Sequence, residues 1–393
     1  MRSLFLKIYT KISKKLHLRF LLNRLLDLLP VQNNKIVFSN FNGRGYGCDP
    51  KYICEALRRH NQKLDLVWLI SDPSAGKNAW DIPQDVRMVR FGSRKARYEM
   101  ATAHIWVFNT KGFEKPRKKN RQFYIQTWHS CLGLKACEEK AAFSLPSAYI
   151  EAAKEDARIT DLMYANNTSR FELYINHFWY NGTVIKCSVP RCSILFSNPD
   201  MVKKKVSDYF SVSSKTGIIL YAPTFRGSSN TDIYKFDYIR CLNLLEAIYH
   251  MPFIFLIRLH PNLHSVASFC NFSDRIKDAA LYPDIQELLA AANVLITDYS
   301  ACMFDAAIAQ KPVFLYTPDL EAYIKKERNL NFHPDELPFS FSLNETALFY
   351  HIENFSQEKY AKQCDKFWKQ VGLIEDGTGD KYISDLILKM IER

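Results

Sequence analysis

A histidine at the end of a buried strand is the first candidate for chemistry in this chain. In Tyr124-Ile-Gln-Thr-Trp-His-Ser130 an apolar run ends in a polar turn, and His129 stands between Trp128 and Ser130. An imidazole titrates near neutral pH, which suits it to take a proton from a hydroxyl. A second set of residues suits a phosphate. Arg226 follows the apolar run 217–221, His260 follows 253–258, and Ser300 and Asp305 follow 294–297. Arg226 and His260 would neutralise a pyrophosphate. Ser300, read as the N-cap of a helix over 301–310, would add the free N–H groups of a helix start. No Asp-x-Asp pair accompanies them, so neither an obligatory metal nor a cofactor is expected.

Such residues need elements to hold them. The stretch 294–316 reads as strand, tight polar turn at Asp298-Tyr299-Ser300, helix, then a second strand from Val313. In a parallel α/β sheet the ligand lies outside the carboxyl ends of the strands, where such turns are. Further strands are expected at 35–38, 64–70, 103–108, 184–186, 217–221 and 253–258. Helices are expected from Pro50 to about His60, at 242–250, 284–292 and 319–327, with two or three more closing the chain. A Gly-rich loop, 39–47, follows the first strand. A basic loop, 115–121, precedes the strand that leads to His129; it reads as a solvated charge run with phosphate or lipid contact as the other meaning.

With 393 residues, 47% hydrophobic and 14% aromatic, the chain can bury more than one core. The polar stretch 198–215 is read as the linker. This gives three parts: a basic segment 1–30, a Rossmann-like domain 31–205, and a second Rossmann-like domain 206–393 that includes the last helices. Segment 1–30 carries seven Lys or Arg against one Asp, with apolar residues at helical spacing and no run long enough to span a bilayer. It reads as an amphipathic helix on an anionic membrane surface rather than one docked on the protein's own core. The net charge of +12 also points to an anionic partner. Ten cysteines without a CxxC pair read as reduced thiols, not zinc ligands.

Taken together, Trp128-His129 with Lys135, Tyr221-Ala-Pro-Thr-Phe-Arg226, Arg258-Leu-His-Pro261, and Ile296 to Asp305 with Lys311-Pro312 resemble the CDP-glycerol glycerophosphotransferase family, the teichoic acid primases and polymerases. The resemblance runs from about residue 35 to the end. It implies a GT-B-like α/β fold: two Rossmann-like domains whose parallel sheets face each other across a cleft. It implies His129 as the base, His260 as a second catalytic group, and a CDP-polyol donor held by Thr224, Arg226, His260, Thr297, Asp298, Ser300, Ala301 and Asp305. Asn42, Lys135 and Arg191 would serve the acceptor. The substrate would be CDP-glycerol or CDP-ribitol, and the acceptor lipid-linked, at the cytoplasmic face of the membrane, where the protein would be peripheral.

The chain departs from the family pattern in places. Ser130 stands where the family has Gly, Ala301 where it has a second Ser, and Ser188-Val-Pro-Arg-Cys-Ser193 keeps only Pro190 and Arg191 of its motif. The acidic residue expected after Lys135 is Glu138 or Glu139. Two other functions share some of these features. A GT-B sugar transferase would use the same cleft with a nucleotide sugar. A non-catalytic basic protein would bind membrane or nucleic acid; the aromatics are dispersed through apolar runs rather than among the basic clusters, so no nucleic-acid partner is expected.

Overall fold

Continuous apolar runs become the strands of two sheets, because a parallel strand is covered on both faces. The computed structural model describes residues 25–60, 63–224, 226, 231–259, 271–326, 330–332 and 336–392. The basic segment 1–24, Phe225, His260 and Pro261 lie outside the described residues. The first sheet holds Gln32–Ser39 (β1), Asp65–Ile70 (β2), Arg87–Arg90 (β3), Ala103–Phe108 (β4), Phe123–Gln126 (β5), Leu162–Ala165 (β6) and Thr183–Lys186 (β7). The second holds Gly217–Tyr221 (β8), Phe253–Ile257 (β9), Ile276–Asp278 (β10), Val294–Thr297 (β11), Val313–Tyr316 (β12) and Ser340–Ser342 (β13).

The strand orders are β3-β2-β1-β4-β5-β6-β7 and β10-β9-β8-β11-β12-β13. The strand pairings within each sheet are parallel. In both sheets the order reverses once, between β1 and β4 and between β8 and β11. At such a switch point the two following loops diverge to opposite faces and leave a crevice at the strands' carboxyl ends. The loops that border these crevices are 40–47 and 109–111 in the first sheet, and 222–224 and 298–301 in the second.

Several elements differ from the sequence reading. β3 has an arginine at each end of two apolar residues, β13 has a serine on each side of Phe341, and β6 has four residues, so none carries a long apolar run. The stretch read as a linker contains the helix Pro199–Tyr209. Asn198 caps it by accepting from the Asp200 and Met201 amides, Pro199 starts it, and Val202, Val206 and Phe210 recur along its buried face. The last helix, Gly379–Ile391, packs against Cys48–Arg58 and the turn Pro190–Cys192 of the first unit, not against the second sheet. The chain therefore crosses between the units more than once.

Buried ion pairs tie the two units together. Arg191, 2% exposed, donates to Asp49 of the first unit at 3.2 Å and to Asp305 of the second at 3.0 and 3.2 Å. Gln286 also donates to Asp305, at 2.7 Å. Lys51 of the first unit reaches Asp284 at 2.9 Å and Glu287 at 2.7 Å in the second. Tyr52 adds a hydrogen bond to Asp284 at 2.7 Å. Removing one partner of a buried pair strands the other charge and costs about 3–5 kcal/mol. Arg191→Met is expected to lower the unfolding free energy on that scale in urea titration. Arg158→Met, in the exposed pair with Glu155, should leave the urea midpoint in place. Equal midpoints for wild type and Arg191→Met would refute the assignment.

Candidate active site

The surroundings of His129 are built from three strand ends. β5 runs into Thr127-Trp128-His129, and Trp128 adopts φ +55°, a left-handed conformation that costs a bulky side chain about 1–3 kcal/mol. Gln126 holds this turn by accepting from the Trp128 amide at 3.0 Å. The result is that His129 Nδ1 lies 2.9 Å from the carbonyl of Asn109, at the end of β4. A carbonyl only accepts, so Nδ1 carries the proton and Nε2 keeps its lone pair. The Asn109 side chain accepts from the Phe41 amide at 2.8 Å and donates to Asn40 at 2.7 Å, which joins the loop after β1 to the same point.

Burial between the Phe41 and Trp128 rings, 5.2 and 4.2 Å from the imidazole, lowers the His129 pKa to about 4. The Asn109 hydrogen bond works against this, and the charges of Arg170 and Arg191 add to it. His129 is therefore neutral near pH 7, with Nε2 able to accept a proton. The loop that carries Asn42 borders His129 through the Phe41 ring. Asn42 is exposed, has φ +57°, and accepts from the Thr110 hydroxyl at 2.8 Å. Gly43 next to it has φ +88°, and a Cβ there would meet the Ser71 amide at 2.9 Å and Phe91 at 2.8 Å. Glycine is the residue this turn admits.

The second cradle lies at the β8–β11 crevice. Asp298, 2% exposed, accepts from the amides of Thr224 and Tyr299 and from Arg226 Nη1 at 2.8 Å. Thr297 donates to the Ala222 carbonyl at 2.7 Å and locks the two loops together. Arg226 is 4% exposed and also bonds Asp319 at 2.8 and 3.2 Å. Its guanidinium carbon lies 4.8 and 4.9 Å from the centroids of Tyr299 and Tyr323, whose rings stack at 3.7 Å. From the first unit, Lys135 Nζ comes within 5.3 Å of the Tyr323 ring. Asn331 fixes that approach by donating to the Gly133 and Lys135 carbonyls at 2.8 Å. Thr224, Arg226, Thr297, Asp298 and Lys135 are thus brought to one region.

Other expected site residues lie differently. Ser300 does not cap a helix. The helix Cys302–Ile308 begins after Ala301 with no side-chain cap, and in the turn before it Asp298 accepts from the Tyr299 amide. Ser300 and Ala301 are partly exposed beside it. Arg226 is matched by two carboxylates, so it shapes the cradle with little net positive charge. Arg191 and Asp305, read as acceptor and donor contacts, are turned toward each other. Glu138 is buried against Lys111 at 3.3 Å and the Tyr149 hydroxyl at 2.6 Å, and Glu139 lies 3.6 Å from His177.

In the basic loop 115–121, Lys115 pairs with Asp156 and Lys118 with Asp161, while Lys119 donates to the carbonyls of Leu29 and Ala101. The sequence reading passed over Asn109, Asp319 and Tyr323. Asn109 had a signal: it ends an apolar run just as Asn40 does. Cys131 Sγ, Cys192 Sγ and a Glu375 carboxylate oxygen lie within 4.8 Å of one another. The Arg191 guanidinium, 2.9 Å from Cys131 Sγ, puts a positive charge on that cluster.

Comparison with known proteins agrees with this arrangement. Residues 21–389 match the family model of CDP-glycerol:poly(glycerophosphate) glycerophosphotransferases. The chain is 28% identical to a teichoic acid poly(glycerol phosphate) polymerase of Bacillus spizizenii, over 98% of each chain. It is 26% identical to a teichoic acid glycerol-phosphate transferase of Staphylococcus aureus, over 93% of this chain and 95% of the other. It spans about half, 51%, of a Staphylococcus epidermidis polymerase. Among solved structures, that of the wall teichoic acid polymerase TagF superposes with a TM-score of 0.83 at 25% identity, over 98% of this chain and 97% of that one. The two sheets form the GT-B-like fold of these proteins, and the chain belongs to the CDP-glycerol:poly(glycerophosphate) glycerophosphotransferase family.

Proposed function

We propose that this enzyme transfers a polyol phosphate, glycerol phosphate first, from a CDP-activated donor to a hydroxyl of a lipid-linked acceptor in teichoic-acid-like polymer synthesis. The acceptor hydroxyl gives its proton to His129 Nε2. Its oxygen attacks the donor's distal phosphorus, the bond from that phosphorus to the bridging oxygen breaks, and CMP leaves. Most of the rate enhancement would come from positioning and from charge stabilisation at the transferred phosphate. The observation that carries the proposal is His129 itself. Burial keeps it neutral, and a hydrogen bond to the Asn109 carbonyl orients it at the switch point of the first sheet, with its second nitrogen free of protein partners among the described residues.

The Thr224–Arg226–Asp298 cradle at the other switch point is assigned to the donor, with Ser300 and Ala301 beside it; the donor role of His260 rests on its sequence motif. Asn42 and Lys135 are assigned to the acceptor side. Arg191 and Asp305 act through the position they impose on the two units. The basic amphipathic segment 1–30 is assigned to an anionic membrane surface, where a lipid-linked acceptor would be met, making the protein peripheral on the cytoplasmic face. No helix among the described residues is long and apolar enough to cross a membrane. The reaction as written requires neither a resident metal nor a cofactor.

Purified protein given CDP-glycerol and a lipid-linked acceptor analogue should release CMP, with a product heavier by one glycerol phosphate. UDP- and GDP-sugars should give no transfer. No CMP above background from CDP-glycerol or CDP-ribitol would end the proposal. His129→Ala should lower turnover by about 10²-fold or more, the scale of a lost general base. Because the His129 pKa lies at about 4 rather than 6.5, the base form persists as pH falls through 6. The acid limb of kcat/KM should therefore lie below about pH 5.5. A limb at the ordinary histidine value would contradict the assignment.

A further inference from the structure

Among the described residues three arginines are almost wholly buried: Arg170 at 2%, Arg191 at 2% and Arg226 at 4% exposure. Two of them have two carboxylates each. Arg170 has none. Its Nη2 donates to the Ser130 hydroxyl at 2.8 Å and its Nε to the Cys131 carbonyl at 3.2 Å, while the Tyr174 ring lies 5.6 Å from Cζ. Among the described residues Nη1 has no hydrogen-bond partner. A guanidinium buried with only neutral acceptors is unfavourable, and an anion from outside is the partner it lacks.

Arg170 lines a pocket of about 270 Å³ between the helix Thr168–His177, the chain that follows His129, and residues 331–332 of the second unit. Lys140, His177, Asn176 and Asn331 also line it; Glu172 is the carboxylate on its wall. Gly133 keeps one side open, since a Cβ there would stand 3.0 Å from Arg170 Nη2. The charges of Arg170 and Lys140 against that of Glu172, with the amide of Asn176, suit a singly charged tetrahedral anion. Arg170 ties the pocket to the turn of His129, because it donates to the hydroxyl of Ser130, the next residue along the chain.

We propose that this pocket binds a phosphodiester of the acceptor, the group one repeat behind the hydroxyl that His129 activates, with Arg170 as its counter-ion. This rests on the acceptor reading given above. It makes the enzyme selective for an acceptor that already carries a polyol phosphate. Arg170 here is a binding and specificity residue.

The experiment compares two acceptor analogues, one ending in a glycerol linked through a phosphodiester and one ending in glycerol without it. The ratio of their kcat/KM values should favour the phosphodiester in wild type and fall by about tenfold or more in Arg170→Gln, the scale of one charge-assisted hydrogen bond. Glycerophosphoglycerol should inhibit wild type competitively with the acceptor. Inorganic phosphate should raise its melting temperature, and Arg170→Gln should remove both effects. An unchanged ratio, or inhibition by inorganic phosphate alone and not by the diester, overturns the proposal. If Arg170→Gln does not fold, Lys140→Gln, an exposed position on the same wall, must weaken the phosphate-induced shift, and no weakening overturns it. If neither analogue yields CMP, the transferase reading fails, and the phosphate shift with its loss in Arg170→Gln still decides whether the pocket takes an anion.

Discussion

The buried contact of Arg191 with Asp49 and Asp305 is the constraint on which the geometry of this protein depends. It is the point where the two Rossmann-like units share one charge. A bidentate guanidinium fixes direction as well as distance, and in a site this dry it tolerates little displacement. Burial pushes Asp49 up to about 6 in spite of its partner, which shows how strongly the site excludes water. Such a junction adds less net stability than an apolar one of the same size would, and its value lies in specifying a single arrangement. The Lys51–Asp284–Glu287 cluster and the returning helix Gly379–Ile391 hold the same arrangement at other places.

With the units so fixed, the two switch points can be read as one site. The first carries a neutral imidazole aimed by a strained turn and a backbone carbonyl. The second carries a cradle in which Asp298 gathers N–H groups from two loops and Arg226 is matched by carboxylates. Lys135 and Asn331 link the first to the second. The strain at Trp128 and the desolvation of His129 are both costs to the fold. They sit at one residue pair, and the desolvation yields an imidazole that stays deprotonated at neutral pH, the property the proposed chemistry requires.

Much of this was legible in the sequence, for physical reasons. Strands such as 217–221, 253–257 and 294–297 are buried on both faces and therefore apolar throughout, so their ends mark the site loops. His129, Arg226 and Asp298 were found because each follows such a run. Short or half-polar strands such as β3 and β13 leave no comparable pattern. The partnerships of charged residues were not legible either. Arg191 and Asp305 look like substrate contacts from sequence, since nothing in a linear chain says that residues 114 positions apart meet in a dry junction. Arg170 is the converse: an ordinary helix arginine in sequence, and a buried cation without a carboxylate in the fold.

The central claim is that an acceptor hydroxyl attacks the donor's distal phosphorus across the junction between the two units. It is tested most directly by a reaction of CDP-glycerol with an acceptor whose terminal hydroxyl carries oxygen-18. The account predicts release of CMP and a product in which the labelled oxygen is bonded to the new phosphorus, visible as an isotope shift of its phosphorus resonance. Release of CDP, or a product whose label is not attached to phosphorus, would contradict it.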